Sequence, residues 1–174
     1  MSSEKRKIAY IDGKPYEIGA NHTSILKFVK SYIGEKKVPT LCDDPNLVPY
    51  GACRVCSVEV ALKKDGPTKV VASCHTPVAE NQHIFTSNEN LQNLRKNIVE
   101  LVLSDHPMEC NTCEVNNNCE LQTVANDLGI SDHRYNNPKQ HKGIPRDTSH
   151  DYMRMNLENC INCGRCVRAC DEIQ

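Results

Sequence analysis

His106-Pro107-Met108-Glu109-Cys110-Asn111-Thr112-Cys113-Glu114-Val115-Asn116-Asn117-Asn118-Cys119 decides how this chain is read. Three cysteines and a histidine fall within fourteen residues of polar loop, between two segments with helical apolar spacing. Three thiolates and an imidazole are soft and borderline donors, the set a metal takes. Two further cysteine groups flank the stretch. Cys42-x10-Cys53-x2-Cys56-x17-Cys74 precedes it, and Cys160-x2-Cys163-x2-Cys166-x3-Cys170 follows. Between them the three groups use all eleven cysteines.

The rest of the composition explains why the cysteines matter for the fold. Leu, Ile, Val and Phe supply only 38 of the 174 residues and Trp is absent, so a core of these side chains alone is thin. Disulfides are the plain alternative to metal. The N-terminus Met1-Ser2-Ser3-Glu4-Lys5-Arg6-Lys7 lacks an apolar signal core, the cysteine count is odd, and the cysteines cluster as C-x-x-C, all of which favour thiolate ligands. No apolar run reaches the roughly 20 residues of a membrane span. A net charge of −1 with mixed signs gives no reason to expect nucleic acid or a membrane surface as partner.

Taken in order, Lys7 to Ile11 and Tyr16 to Ile18 form a hairpin signal around Asp12-Gly13. Thr23 or Ser24 caps a helix carrying Ile25, Leu26, Val29, Tyr32 and Ile33, and Gly34 stops it. Ser57 to Leu62 and Lys69 to Ser73 form a second strand pair, with Cys74 at its end, and His83 to Thr86 is another short strand. Thr86-Ser87-Asn88-Glu89 fits a capping box for a helix whose apolar face is Leu91, Leu94, Ile98, Leu101 and Val102. Pro107 ends that helix near Asp105-His106. A shorter helix follows on Leu121, Val124, Ala125 and Leu128, stopped at Gly129. Residues 130 to about 150 read as a polar surface connection, and Tyr152 to Leu157 as a last short strand.

Each cysteine group carries its own chemistry. In the first, three ligands come from one loop and a fourth from a strand end, the logic of a plant-type 2Fe–2S site with a longer gap before the close pair. Gly51 and Ala52 let the backbone approach such a cluster, and Arg54 between the ligands would offset its charge. Four cysteines on zinc is the alternative there. In the second group, His106, Cys110, Cys113 and Cys119 suit zinc or an iron–sulfur cluster, and His106 alone is also a residue that a helix C-terminus favours. The third run curls three cysteines around one corner of a 4Fe–4S cubane, while the fourth of such a run ligates a neighbouring cluster; Asp171 stands where Pro often does. That count leaves both cubanes short of ligands, so the sequence reads as a fragment or as a subunit completed by a partner.

Cys53-Arg54-Val55-Cys56-Ser57-Val58-Glu59, the segment from His106 to Cys119-Glu120-Leu121-Gln122, and Cys160 to Gln174, in that order, resemble one known module. It is the N-terminal iron–sulfur module of the large subunit of respiratory complex I, shared with NAD(P)-linked formate dehydrogenases and hydrogenases. The resemblance covers nearly the whole chain, and its ending looks closest to the formate dehydrogenase and hydrogenase branch. It implies a 2Fe–2S cluster on Cys42, Cys53, Cys56 and Cys74. It also implies a 4Fe–4S cluster on His106, Cys110, Cys113 and Cys119, and a further cubane on Cys160, Cys163 and Cys166, with Cys170 reaching to the next.

The expected fold is α+β. A ferredoxin-like β-grasp domain spans residues 1–85, a small helical His/Cys-ligated domain 86–130, a connecting segment 131–150, and an incomplete two-cubane ferredoxin domain 151–174. The expected function is single-electron relay, in the cytoplasm, between a flavin- and NAD(P)-binding partner and a distant catalytic centre. The implied partners are flavin/NAD(P)-binding and thioredoxin-like iron–sulfur subunits, and a catalytic subunit or further C-terminal part. No G-x-G-x-x-G fingerprint is present, and no local arrangement suggests a substrate site. The readings from other classes are a zinc-stabilised interaction module and a cysteine-based redox sensor.

Overall fold

The computed structural model describes residues 6–132, 134–135 and 143–174. The chain divides into two compact units. One runs through Arg95 and takes in Arg165–Gln174; the other is Lys96–Gly164.

The first unit is built on a five-stranded mixed sheet. β1 (Ile8–Ile11) and β2 (Lys14–Glu17) pair antiparallel with Ile11 opposite Lys14, so the loop is two residues long. Asp12 and Gly13 both take positive φ, 48° and 83°, as a turn matching the strand twist requires. β3 (Ser57–Ala61) and β4 (Lys69–Ala72) form the second hairpin, and β5 (His83–Phe85) lies between the pairs, giving the order β2-β1-β5-β3-β4. β5 runs parallel to β1 and antiparallel to β3.

Helix α1 (Ile25–Ile33) supplies Ile25, Leu26, Phe28 and Val29 to the core, where Ala9, Ile11, Val58 and Ile84 of the sheet meet it. Phe28, absent from the expected stripe, is fully buried at its centre. Ser24 caps the helix through its Oγ, which accepts from Lys27 N–H, and Gly34 ends it at φ 94°. Two amides of its first turn need partners from outside the helix. Leu26 donates to Ser73 O at 2.9 Å and Ile25 to Thr76 O at 2.8 Å. Those carbonyls flank Cys74, so the helix start and the end of β4 are fixed together. Helix α4 (Arg165–Ile173) completes this unit.

Helix α2 (Glu89–Ser104) begins differently from the expectation. Thr86 does not cap it. Its hydroxyl donates to Asp12 Oδ2 at 2.6 Å and its amide to Asp12 Oδ1 at 2.8 Å, tying β5 to the β1–β2 turn. Asn88 takes the capping role, its Oδ1 accepting from Leu91 N–H at 2.8 Å. The inward face is also rotated: Leu91, Arg95, Val99, Glu100 and Leu103 are buried, whereas Leu101 is 53% exposed. Two charged residues thus occupy positions that a purely apolar stripe would assign to solvent.

In the second unit, α2 leads through a short 3-10 turn (Cys110–Thr112) to α3 (Glu120–Asp127). Gly129 at φ 65° ends α3, with Gly129 N–H donating to Asn126 O and Ile130 N–H to Ala125 O. Buried Glu100 accepts from Arg134 Nε at 2.6 Å. The strand expected over Tyr152 to Leu157 is not formed. A single bridge pairs Asp147 with Met155, Tyr152 is 93% exposed, and a 3-10 turn occupies Leu157–Asn159. A lone segment with no neighbouring strand has no ladder to join. The connection expected over 131–150 lies partly outside the described residues.

Candidate metal centres

Among the described residues no cysteine is in a disulfide. The first group gathers in the first unit. Cys42 follows buried Leu41 in an irregular loop, Cys53 and Cys56 bracket a tight turn, and Cys74 follows β4; Cys42, Cys56 and Cys74 are buried and Cys53 half-buried. The turn works because Arg54 takes φ 61° and its carbonyl accepts both the Ser57 amide and the Ser57 hydroxyl, the latter at 2.6 Å. Gly51 is also required by its own surroundings. At φ 68° a side chain there would also press on the His75 ring, whose Cδ2 lies 3.3 Å from the Cβ position.

Cys53 N–H lies 3.5 Å from Cys42 Sγ. Hydrogen bonding to the Cys53 side chain and to backbone N–H groups of Cys53 and Ala52 pulls the Cys42 thiol down to about 5 against the opposing effect of burial. Hydrogen bonding to Cys74 lowers Cys56 to about 6, helped by Ser73. Cys53 and Cys74 are pushed up by hydrogen bonding to Cys42 and Cys56 and by burial. Cys42 also raises both Cys56 and Cys74 by charge.

Arg95, which sequence reasoning passed over, supports this centre from α2. It is 2% exposed, and one terminal nitrogen donates to Ser57 O at 2.6 Å and Thr86 O at 2.9 Å. Burial lowers its pKa, while the neighbouring charges of Cys56 and Asp12 hold it up. It thus anchors the residue after Cys56 to the end of β5. Arg54 is exposed.

The second group lies wholly in the second unit. His106 follows α2 with its amide bonded to Leu103 O, Cys110 opens the 3-10 turn, Cys113 closes it by donating to Cys110 O, and Cys119 is the N-cap position of α3. Cys110, Cys113 and Cys119 are partly exposed. Gln122, another residue without an assigned role at first reading, reaches back from α3. Its Oε1 accepts from Asn117 N–H at 2.8 Å and its Nε2 donates to Asn116 Oδ1 at 2.9 Å, closing the loop between Cys113 and Cys119.

The third group is shared out. Cys160 and Cys163 belong to the second unit; Cys166 and Cys170 lie on α4 in the first. Asn162 and Gly164 adopt φ of 54° and 70°, and Asn162 N–H lies 3.4 Å from Cys160 Sγ. Among the described residues no three His, Cys, Asp or Glu side chains converge as ligands of one metal ion.

Comparison with known proteins places these cysteine-rich loops beside iron–sulfur domains. Residues 8–89 match the 2Fe-2S iron-sulfur cluster binding domain, and residues 95–134 match the NADH-ubiquinone oxidoreductase-G iron-sulfur binding region. The chain is 35% identical over 170 residues to the NADP-reducing hydrogenase subunit HndD of Solidesulfovibrio fructosivorans, covering 94% of this chain and 27% of that protein. It is 33% identical to the NADPH-Fe(3+) oxidoreductase subunit alpha of Geobacter sulfurreducens, over 94% of this chain and 18% of the relative. Against a putative formate dehydrogenase of Staphylococcus aureus the figures are 28%, 98% and 16%. The chain thus spans about a quarter or less of the length of these relatives. The fold also matches a crystal structure of an NAD+-reducing [NiFe]-hydrogenase, with a TM-score of 0.80 at 24% identity over 94% of this chain and 65% of that one. No described helix is long and apolar enough to cross a membrane.

Proposed function

We propose that this chain relays single electrons within an NAD(P)-linked oxidoreductase of hydrogenase or formate dehydrogenase type, between a flavin- and NAD(P)-binding partner and a distant catalytic centre. The observation that carries the reading is the meeting of the first group's cysteine segments: Cys53 N–H lies 3.5 Å from Cys42 Sγ, and Ser73, directly before Cys74, donates to the Cys56 carbonyl through both its amide and its hydroxyl. Cys42, Cys53, Cys56 and Cys74 would hold a 2Fe–2S cluster, which takes four thiolates of this kind.

His106, Cys110, Cys113 and Cys119 would hold a 4Fe–4S cluster, Cys160, Cys163 and Cys166 a further cubane, and Cys170 would reach to its neighbour. Bound clusters supply one-electron carriers; the protein's part is to fix their ligands and set their surroundings. Thiols bind metal as thiolates, so filling the site releases protons. The domain bounds 1–85, 86–130 and 151–174 follow these three ligand groups, and a cytoplasmic site of action fits thiolate ligands kept reduced. Support for the branch comes from the 35% identity to the hydrogenase subunit, the highest of the relatives above. Iron, sulfide and zinc analysis with visible spectroscopy tests the reading. A brown protein whose broad absorption bleaches on reduction is expected; a colourless protein with stoichiometric zinc overturns it.

A further inference from the structure

Helix α4 carries Cys166 and Cys170 of the third group, and Arg168 stands between them. Its side chain reaches the loop of the first group, more than a hundred positions away in sequence. One terminal nitrogen donates to Val48 O and the other to the carbonyl of Cys42 itself, each at 2.6 Å. The guanidinium also lies over the Tyr50 ring, 5.3 Å from its centroid. One turn further along α4, Glu172 Oε2 accepts from Val48 N–H at 2.7 Å. Residues four apart share a helix face, so a single face of α4 holds both backbone groups of Val48 and the carbonyl of Cys42.

That loop needs an outside support. Between Cys42 and Cys53 it has no regular secondary structure, and Pro45 and Pro49 remove two of its amide donors. Only a planar fork can bond two carbonyls at once while stacking on a ring; a lysine ammonium is a point charge. Reduction adds one electron, hence one negative charge, to whatever metal group Cys42 helps to hold, and a nearby cation stabilises that added charge.

We infer that Arg168 is a positioning residue of the first centre, fixing the loop from Cys42 to Tyr50 against α4 and making the group held there easier to reduce. This rests on reading Cys42, Cys53, Cys56 and Cys74 as a 2Fe–2S site. The consequence is that a helix bearing two cysteines of the third group sets both the geometry and the potential of the first.

The test is a redox titration of the 2Fe–2S signal in the iron-loaded protein, combined with amide exchange across residues 42–50, for Arg168→Gln and Arg168→Lys. Arg168→Gln is expected to lower the reduced-to-oxidised ratio at fixed potential about tenfold, about 59 mV for a one-electron couple, and to speed exchange in the loop. Arg168→Lys keeps the charge and loses the fork, so it should recover most of the potential and little of the protection. An unchanged potential in Arg168→Gln overturns the inference, and full recovery of both readouts by Arg168→Lys overturns the positioning role. Should Arg168→Gln fail to fold, Arg168→Lys alone decides, since wild-type exchange in that variant contradicts the fork. A wild-type protein without a 2Fe–2S signal is a separate failure, that of the site itself.

Discussion

Replacing Arg95 by Met keeps the length and apolar stem of a buried side chain and removes only its donors. Arg95 is 2% exposed, and its bonds to Ser57 O and Thr86 O are the support it gives to the start of β3 and the end of β5. Leaving a buried carbonyl unsatisfied costs about 1–3 kcal/mol, so two cost about 2–6 kcal/mol. Part is returned, because burial already disfavours the charged guanidinium, as its lowered pKa records. A net loss of about 2–4 kcal/mol remains, which for a chain of this size lowers Tm by about 4–16 °C. Ser57 follows Cys56 directly, so the first centre should be released before the others. The assay is thermal denaturation of the iron-loaded protein, followed in parallel by circular dichroism and by the visible absorption of each cluster type. A variant that melts within about 0.5 kcal/mol of wild type, the range of an ordinary surface substitution, would refute the reasoning.

Further outcomes follow from other residues. His106→Cys replaces a neutral ligand by a charged one, so the potential of the second centre should fall, by the argument that places His-ligated Rieske clusters above all-cysteine ones; a titration showing no fall contradicts it. Gln122→Ala removes both bonds that close the loop before Cys119, worth about 1 kcal/mol each, and should hasten cluster loss to a chelator severalfold, with wild-type bleaching rates as the contrary result. Chelation of all iron should unfold the chain, because its apolar content is low and its ligand loops lack regular structure; native-like circular dichroism in the stripped protein would count against this.

Local chemistry was legible in the sequence wherever it is satisfied locally. Asp12-Gly13 turned where two positive φ values were needed, Ser24 capped α1, and Gly34 and Gly129 stopped their helices. Prediction failed where a distant partner outbid a near one. Thr86 had a capping pattern in front of it, yet Asp12, 74 positions earlier, offers a charged acceptor to both its amide and its hydroxyl, and Asn88 caps instead. The face of α2 was misjudged because hydrophobicity counts Arg95 and Glu100 as outward, whereas each buries its charge against specific partners. Tyr152 to Leu157 alternates like a strand, but a strand needs a neighbour and only Met155 finds one. The Gln122 closure and the Arg168 contacts depend on side chains meeting in three dimensions, and spacing carries no trace of them.

Everything proposed for the first cysteine group turns on a 2Fe–2S cluster held by Cys42, Cys53, Cys56 and Cys74. Low-temperature EPR of the reduced protein, wild type against Cys74→Ala, tests it most directly. Expected is a 2Fe–2S signal in the wild type that disappears in the variant while the 4Fe–4S signals remain. A wild-type spectrum with no 2Fe–2S component, or one that survives the loss of Cys74 unchanged, would contradict it.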